Sequence, residues 1–208
     1  MNCYFVQRFD EGALSFASKF FELGSKARIN SVHVDVGAQL SRTRVEHRFV
    51  GNGSCAPKHC AVFLGSGKQH FDLTTVAHHV GKGTQSNIKV KGALKGKASS
   101  VYRGVIRIDK TAAQTDSFLE DRVLHLDKGV VSNSIPSLFI DNNDVRASHA
   151  ATVSKMSPDA LFYLRSRGVP KGEAEKLVVD GFLESVVREI PDEPLRQRVF
   201  QCLDAKMG

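Results

Sequence analysis

From about Arg28 to Ile140 apolar and polar positions alternate with a period of two. Val32, Val34 and Val36 alternate with His33 and Asp35, Phe71 and Leu73 with His70 and Asp72, and Ile88 and Val90 with Lys89 and Lys91. Tyr102, Ile106 and Ile108 continue the pattern, followed by Val131, Ile135, Leu138 and Ile140. Successive side chains of a strand point to opposite faces, so the pattern predicts short strands with one apolar and one polar face. Glycines interrupt it at short intervals, among them Gly37, Gly51, Gly53, Gly65, Gly67, Gly81, Gly83, Gly92, Gly96, Gly104 and Gly129. They mark turns between the strands. A sandwich, a barrel and a β-solenoid all fit such a ladder. No strict repeat chooses among them. The lack of intervening helices leans towards a solenoid or a flattened sandwich.

After Met156 the period changes to that of helices. Ser157 offers a capping oxygen, Pro158 suits the first helical position, and Asp159 lies near the positive helix end. Leu161, Phe162, Leu164 and Arg165 follow, and Gly168 supplies a stop. A second helix is expected from Pro170 or Lys171 to Glu189, with Ala174, Leu177, Val178, Phe182 and Val186 at three- and four-residue steps. Pro191 ends it, and Asp192 can cap a third helix carrying Leu195, Val199, Cys202 and Leu203. The expected organisation is a β core over 1–155 and a helical subdomain over 156–208. A helical unit of that size is poorly stable alone, so it should dock on the β body, on a partner, or on both.

Composition narrows the functional class. Hydrophobic residues at 41% and charged residues at 25% place the chain among globular rather than disordered proteins. No apolar run reaches the roughly 18–20 residues that cross a bilayer, and the first residues carry no secretory pattern. Four scattered cysteines are not a disulfide framework, so the cytoplasm is the expected compartment and no membrane partner is expected. A formal charge of +7 raises the question of nucleic acid. Lys82, Lys89, Lys91, Lys95 and Lys97 cluster, but only Tyr102 lies near to stack on a base. The cluster reads as a solvated strand face, and no nucleic-acid partner is expected.

Candidate chemistry is sparse. Gly92-Ala-Leu-Lys-Gly-Lys-Ala98 is one residue short of a phosphate loop between its glycines and lacks the Ser or Thr for magnesium, so the chain is not itself an ATPase. Cys55, His59 and Cys60 with His78 and His79 have ligand chemistry, but no common zinc spacing, and neighbours on a strand face opposite ways. Asp141 and Asp144 would suit acid–base work in a β-helix carbohydrate-active enzyme, yet Ile-Asp-Asn-Asn-Asp-Val reads equally well as a turn. His149, in Ala-Ser-His-Ala-Ala, stands alone between the last strand-like stretch and the first helix.

Six segments in order carry a resemblance. They are His78-His-Val-Gly-Lys-Gly-Thr-Gln-Ser86, Val90-Lys-Gly-Ala-Leu-Lys-Gly-Lys-Ala-Ser-Ser-Val-Tyr-Arg-Gly-Val-Ile-Arg-Ile108, Ala113-Gln-Thr-Asp-Ser117, Ser134-Ile-Pro-Ser-Leu-Phe-Ile140, Ser148-His-Ala-Ala-Thr-Val153 and Leu161-Phe-Tyr-Leu-Arg-Ser-Arg-Gly168. From about Phe21 to Ile190 the chain resembles the SufB/SufD family of iron–sulfur cluster assembly scaffolds, closer to SufD. The resemblance implies a mainly β protein, a right-handed parallel β-helix core with a small C-terminal α-helical subdomain. It implies a non-catalytic subunit that binds a SufC-type ABC ATPase through its helices and pairs with a SufB-like subunit or with itself. The docking surface it implies comprises Phe162, Tyr163, Arg165, Arg167, Leu177, Phe182 and Val186. His149 matches the SufD histidine implicated in nascent-cluster formation and is the implied metal ligand. Thr115 occupies the position of the SufB cysteine, in Gln-Thr-Asp-Ser rather than Gln-Cys-Asp-Ser, and Ala150 stands where SufB has a carboxylate. No cluster is therefore expected to be held stably by this chain alone; a transient one at a subunit interface is. A SufB-like homodimer that binds a cluster itself is the alternative within the family.

Overall fold

A computed structural model describes residues 1–207, in eleven strands and three helices. The strands are β1 (Asn2–Phe9), β2 (Leu14–Leu23), β3 (Arg28–Gly37), β4 (Leu40–Phe49), β5 (Cys55–Gly65), β6 (His70–His79), β7 (Gln85–Leu94), β8 (Ser99–Ile108), β9 (Thr115–His125), β10 (Val131–Ile140) and β11 (Val145–Lys155). The helices are α1 (Pro158–Ser166), α2 (Lys171–Val187) and α3 (Glu193–Met207). The odd strands form one sheet in the order β1-β3-β5-β7-β9-β11, and the even strands a second, β2-β4-β6-β8-β10. Every neighbouring pair is parallel. The chain thus climbs as a parallel β-helix, crossing from one sheet to the other at each strand. Of the three architectures the alternation admits, this is the solenoid.

The rung length explains the missing repeat. Leu14 lies beside Leu40, 26 residues on, whereas Ser99 lies beside Val131, 32 residues on. Corners absorb the difference. At one corner the backbone passes so close that a Cβ on Gly81 would sit 2.6 Å from the carbonyl oxygen of Gly51 on the turn below. Strands also extend beyond the expected Arg28–Ile140. In β2 the phenylalanines fall on both faces, with Phe16 and Phe20 exposed and Phe21 packed against the interior, which hides the alternation.

Two apolar clusters hold the molecule together. One fills the solenoid between the sheets and includes Phe49, Phe63, Phe71, Ile88, Tyr102, Ile106 and Leu119. The other covers the outer face of the odd-strand sheet: Val32, Val34, Val36, Cys60, Val62 and Leu64 meet Val179, Leu183, Val186, Val187, Val199 and Leu203 of α2 and α3. The valines of β3 therefore face outward under the helices, while His33 and Asp35 face the interior. Alternation is real here, but the polar face is the inner one.

The interior polar groups are matched to aromatic rings. Phe5 stacks on His33, Phe21 on His47 and Phe49 on His79, at centroid distances of 4.8, 5.0 and 4.5 Å. The Ser31 hydroxyl lies 2.7 Å from His59 Nδ1 and 3.3 Å from His47 Nε2. Asp35 accepts from Ser41 and Thr43. Burial drives the imidazole pKa of His33 down to about 3, of His47 to about 4 and of His79 to about 3, and that of His59 well below its ordinary value.

The helices follow their sequence signals. The Ser157 hydroxyl accepts from Ala160 N at 3.2 Å, Gly168 takes a φ of 87° after α1, and Asp192 Oδ1 accepts from Leu195 N at 2.8 Å. None of the described helices is long and apolar enough to cross a membrane. Two lysines of the cluster depart from the expected solvated state, whereas Lys82 and Lys97 are exposed. Lys91 Nζ donates to the Phe182 carbonyl at 2.8 Å and sits 4.7 Å over the Phe182 ring, so it fastens α2 to β7. Lys95 lies 3.9 Å from Glu175 of α2.

Candidate functional site

β10 and β11 are the terminal strands of their sheets, so the solenoid ends on them. Each has a neighbour on one side only, which leaves a row of backbone N–H and C=O groups unpaired along the other edge. Ile135, Phe139, Ile140 and Val153 are exposed around this end. His149 lies mid-way along β11 and is exposed. Its register partner on β9 is Leu119, which belongs to the interior cluster. Paired residues of neighbouring parallel strands share a face, so His149 occupies an inward-facing position at the last rung, exposed because no further turn covers it.

Thr115 begins β9 and pairs with Val145, four residues before His149. Both positions face inward, but four residues of strand separate them by roughly 13 Å. The Thr115 hydroxyl lies 3.0 Å from the Thr84 hydroxyl and donates to the Ala112 carbonyl at 2.8 Å. It acts in the turn and carries no ligand chemistry towards His149.

The remaining candidates disperse. His59 faces the interior and Cys60, its neighbour, lies under the helices; burial pushes the Cys60 thiol up to about 12. His78 bonds Asp109 at 3.0 Å on the outer face, and His79 bonds Thr84 and Ser86 inside. Among the described residues no group of three or more His, Cys, Asp or Glu is placed to hold a metal. Asp141 and Asp144 line different clefts, the first with Arg44, His78 and Phe139, the second with Gln114 and Arg146. Asp144 N donates to Asn142 Oδ1 at 2.8 Å, and Asn142 Nδ2 to the Lys110 carbonyl. This is a turn built by Asx side chains, and the two carboxylates do not form a catalytic pair.

On the helical side, Phe162 (75% exposed), Tyr163 (57%) and Leu177 (53%) are large apolar groups without cover. The Arg167 guanidinium lies 5.2 Å over the Tyr163 ring. Phe162 and Arg165 line a groove with Leu161, Val169, Pro170 and Lys171 at the α1–α2 turn. Val186 departs from expectation: it is 1% exposed, packed between α2 and the odd-strand sheet, and offers nothing to a partner. Phe182 is half-buried beneath Lys91. Three-residue periodicity on α2 marked apolar positions correctly without telling which of them the sheet covers.

One residue at this end escaped the sequence reading. Asp121 is 1% exposed, and neither carboxylate oxygen has a hydrogen-bond partner. Burial raises its pKa to about 6; the Ser134 hydroxyl opposite partly offsets this without reaching hydrogen-bond geometry. The signal was present, since Leu119, Asp121 and Val123 alternate with Glu120 and Arg122, which puts Asp121 on the apolar side.

Comparison with known proteins agrees with this architecture. The family model for the SufBD core domain of the SUF system of FeS cluster assembly matches residues 1–182, ending within α2. The iron–sulfur cluster assembly protein SufD of Bacillus subtilis is 39% identical over 146 residues, 70% of this chain and 33% of that protein. A SufBD family protein of Mycobacterium leprae is 31% identical over 193 residues, covering 89% of this chain and 49% of that protein. One of Synechocystis is 28% identical over 170 residues, or 82% and 35% of the two chains. The chain spans about half the length of these relatives or less. A parallel β-helix with a C-terminal helical subdomain, carrying that domain match over most of its length, is a SufD-like member of the SufBD family of iron–sulfur cluster assembly proteins.

Proposed function

We propose that this chain is a non-catalytic scaffold subunit that brings a SufC-type ABC ATPase and a SufB-like partner, or a second copy of itself, to one site of cluster assembly. The carrying observation is His149, an exposed imidazole on an edge strand that is paired on one side only, at the end of the solenoid. An edge with free backbone groups and exposed Ile135, Phe139 and Val153 favours pairing with another chain. Pairing there brings a partner's residues to His149. Thr115 lacks a thiolate and stands apart from His149 in register, so in this reading the partner supplies the sulfur ligand. Imidazole is a suitable iron ligand when its second nitrogen is held.

The ATPase docks on α1 and the exposed part of α2 in this proposal. Phe162 and Tyr163 supply the aromatic anchors and Arg165 and Arg167 the rim, as in helix-based recognition. Val186 takes no part. The test is co-purification with the SufC-type ATPase of the same organism. Phe162→Glu with Leu177→Glu is expected to abolish capture while leaving the circular dichroism spectrum unchanged. Undiminished capture by that variant sinks the docking surface.

A further inference from the structure

On the inner face, residues of successive turns stack in columns. One column runs Cys3, Ser31, His59, Ile88, Leu119 and His149. Two residues further along the strands runs Phe5, His33, Ala61, Val90, Asp121 and Ala151. Asp121 and His149 are therefore diagonal neighbours on one face, one rung apart, with Cα atoms on the order of 7 Å from each other. Over Asp121 on the last strand lies Ala151, an exposed residue with a single side-chain carbon.

A buried carboxylate without a partner is costly, and such groups are retained where a cation or a hydrogen bond meets them. For Asp121 the Ser134 hydroxyl of β10 lies opposite but short of hydrogen-bond geometry, and no cation of the chain meets it. Arg122 turns to the outer face, where it bonds Glu120. The other inward carboxylate is different: Asp35 is held by two hydroxyls and lies near the Lys19 ammonium, beside a small cavity of about 30 Å³. Asp121 is the inward carboxylate at the open end, and the nearest inward group on the last strand with ligand chemistry is His149.

We propose that Asp121 is a second iron-binding group of this chain, its carboxylate and the His149 imidazole together taking one ferrous ion at the open end of the solenoid. A nitrogen and an oxygen donor suit a divalent ion of intermediate hardness, with the remaining positions left to water or to a partner. The inference rests on the reading of His149 as an interface donor. It makes the chain a loader of iron, its cargo, before any sulfur ligand arrives from the partner.

The test is an anaerobic titration of the full chain with Co²⁺ as the probe for ferrous iron, followed by visible d–d absorbance and calorimetry. The wild type is expected to take one equivalent. Asp121→Asn and His149→Ala are each expected to bind about tenfold or more weakly, and Asp72→Asn, on the outer face beside Arg103, to bind as wild type. Asp121→Ser serves if the amide is not accommodated, with circular dichroism confirming the fold of each variant. Binding by Asp121→Asn equal to wild type overturns the proposal, as does no binding by the wild type. Weakening in His149→Ala alone removes Asp121 and leaves the scaffold reading intact. Binding as expected combined with failed ATPase capture leaves the iron site and removes the scaffold reading.

Discussion

Gly92 shows how tightly single positions are constrained in the interior. A Cβ there would fall 2.0 Å from Cζ of Phe63, a ring that is wholly buried between the sheets. Phe63 cannot turn aside without displacing Phe71, 5.5 Å away between centroids. Gly92→Ala is therefore expected to destabilise the fold by about 1–3 kcal/mol through overpacking, read as a lower urea midpoint at unchanged slope. The glycine was visible in the sequence as a turn candidate. That it is instead a mid-strand residue making room for a phenylalanine on the neighbouring strand depends on register, which no local pattern carries.

Helix α2 is the element that links the solenoid to the proposed docking surface. Its buried side is apolar, but one of its fastenings is polar. Lys91 reaches up from β7 to a helix carbonyl and the face of Phe182, and partial burial lowers its pKa. A charge-assisted hydrogen bond and a cation–π contact in a partly desolvated place contribute about 1–2 kcal/mol together. Lys91→Ala is expected to loosen α2 selectively, seen as faster amide hydrogen exchange in Lys171–Val187 with little change in β7 to β9. Equal acceleration throughout would contradict a local role for this contact. The helix and its caps were legible from Ser157, Pro158 and Asp192. The lysines that hold it down were not, because a basic stripe on a strand looks the same under water and under a helix.

Four buried neutral histidines make the whole molecule sensitive to acid. Unfolded imidazoles titrate near 6.5, whereas His33, His47, His59 and His79 do so far lower in the fold. Below pH 6.5 the unfolded chain thus binds more protons, and stability falls as pH drops, by up to ~1.4 kcal/mol per pH unit for each histidine. Asp121 and Asp35 act in the opposite sense. Their folded pKa values are raised, so their contribution grows as pH falls through that range and offsets part of the loss. Histidines outnumber these carboxylates, so the net effect is acid unfolding, expected below about pH 5 given ordinary domain stability. His33→Phe, which keeps the stack on Phe5 and removes two unpartnered nitrogens, should move the unfolding midpoint to lower pH. A midpoint unchanged by that substitution would show that interior titration does not govern acid stability.

The alternation of Val32 to Val36, the change of period at Met156, the helix caps and the ordered segments from His78 to Gly168 were enough to derive strands, helices, their order and the family resemblance, because each is a local property of neighbouring residues. Which face of a strand is inside was decided only in three dimensions. The solenoid admits His33 and Asp35 to its interior because a ring stacked from the neighbouring turn and hydroxyls of the facing strand β4 receive them, and it turns the β3 valines outward because helices more than a hundred residues later cover them. The same long-range stacking sets His149 one rung above and diagonal to Asp121, while keeping Thr115 four residues away along the strand. Distances between rungs follow from the length of each turn, and that length varies too much along this chain to be read from spacing.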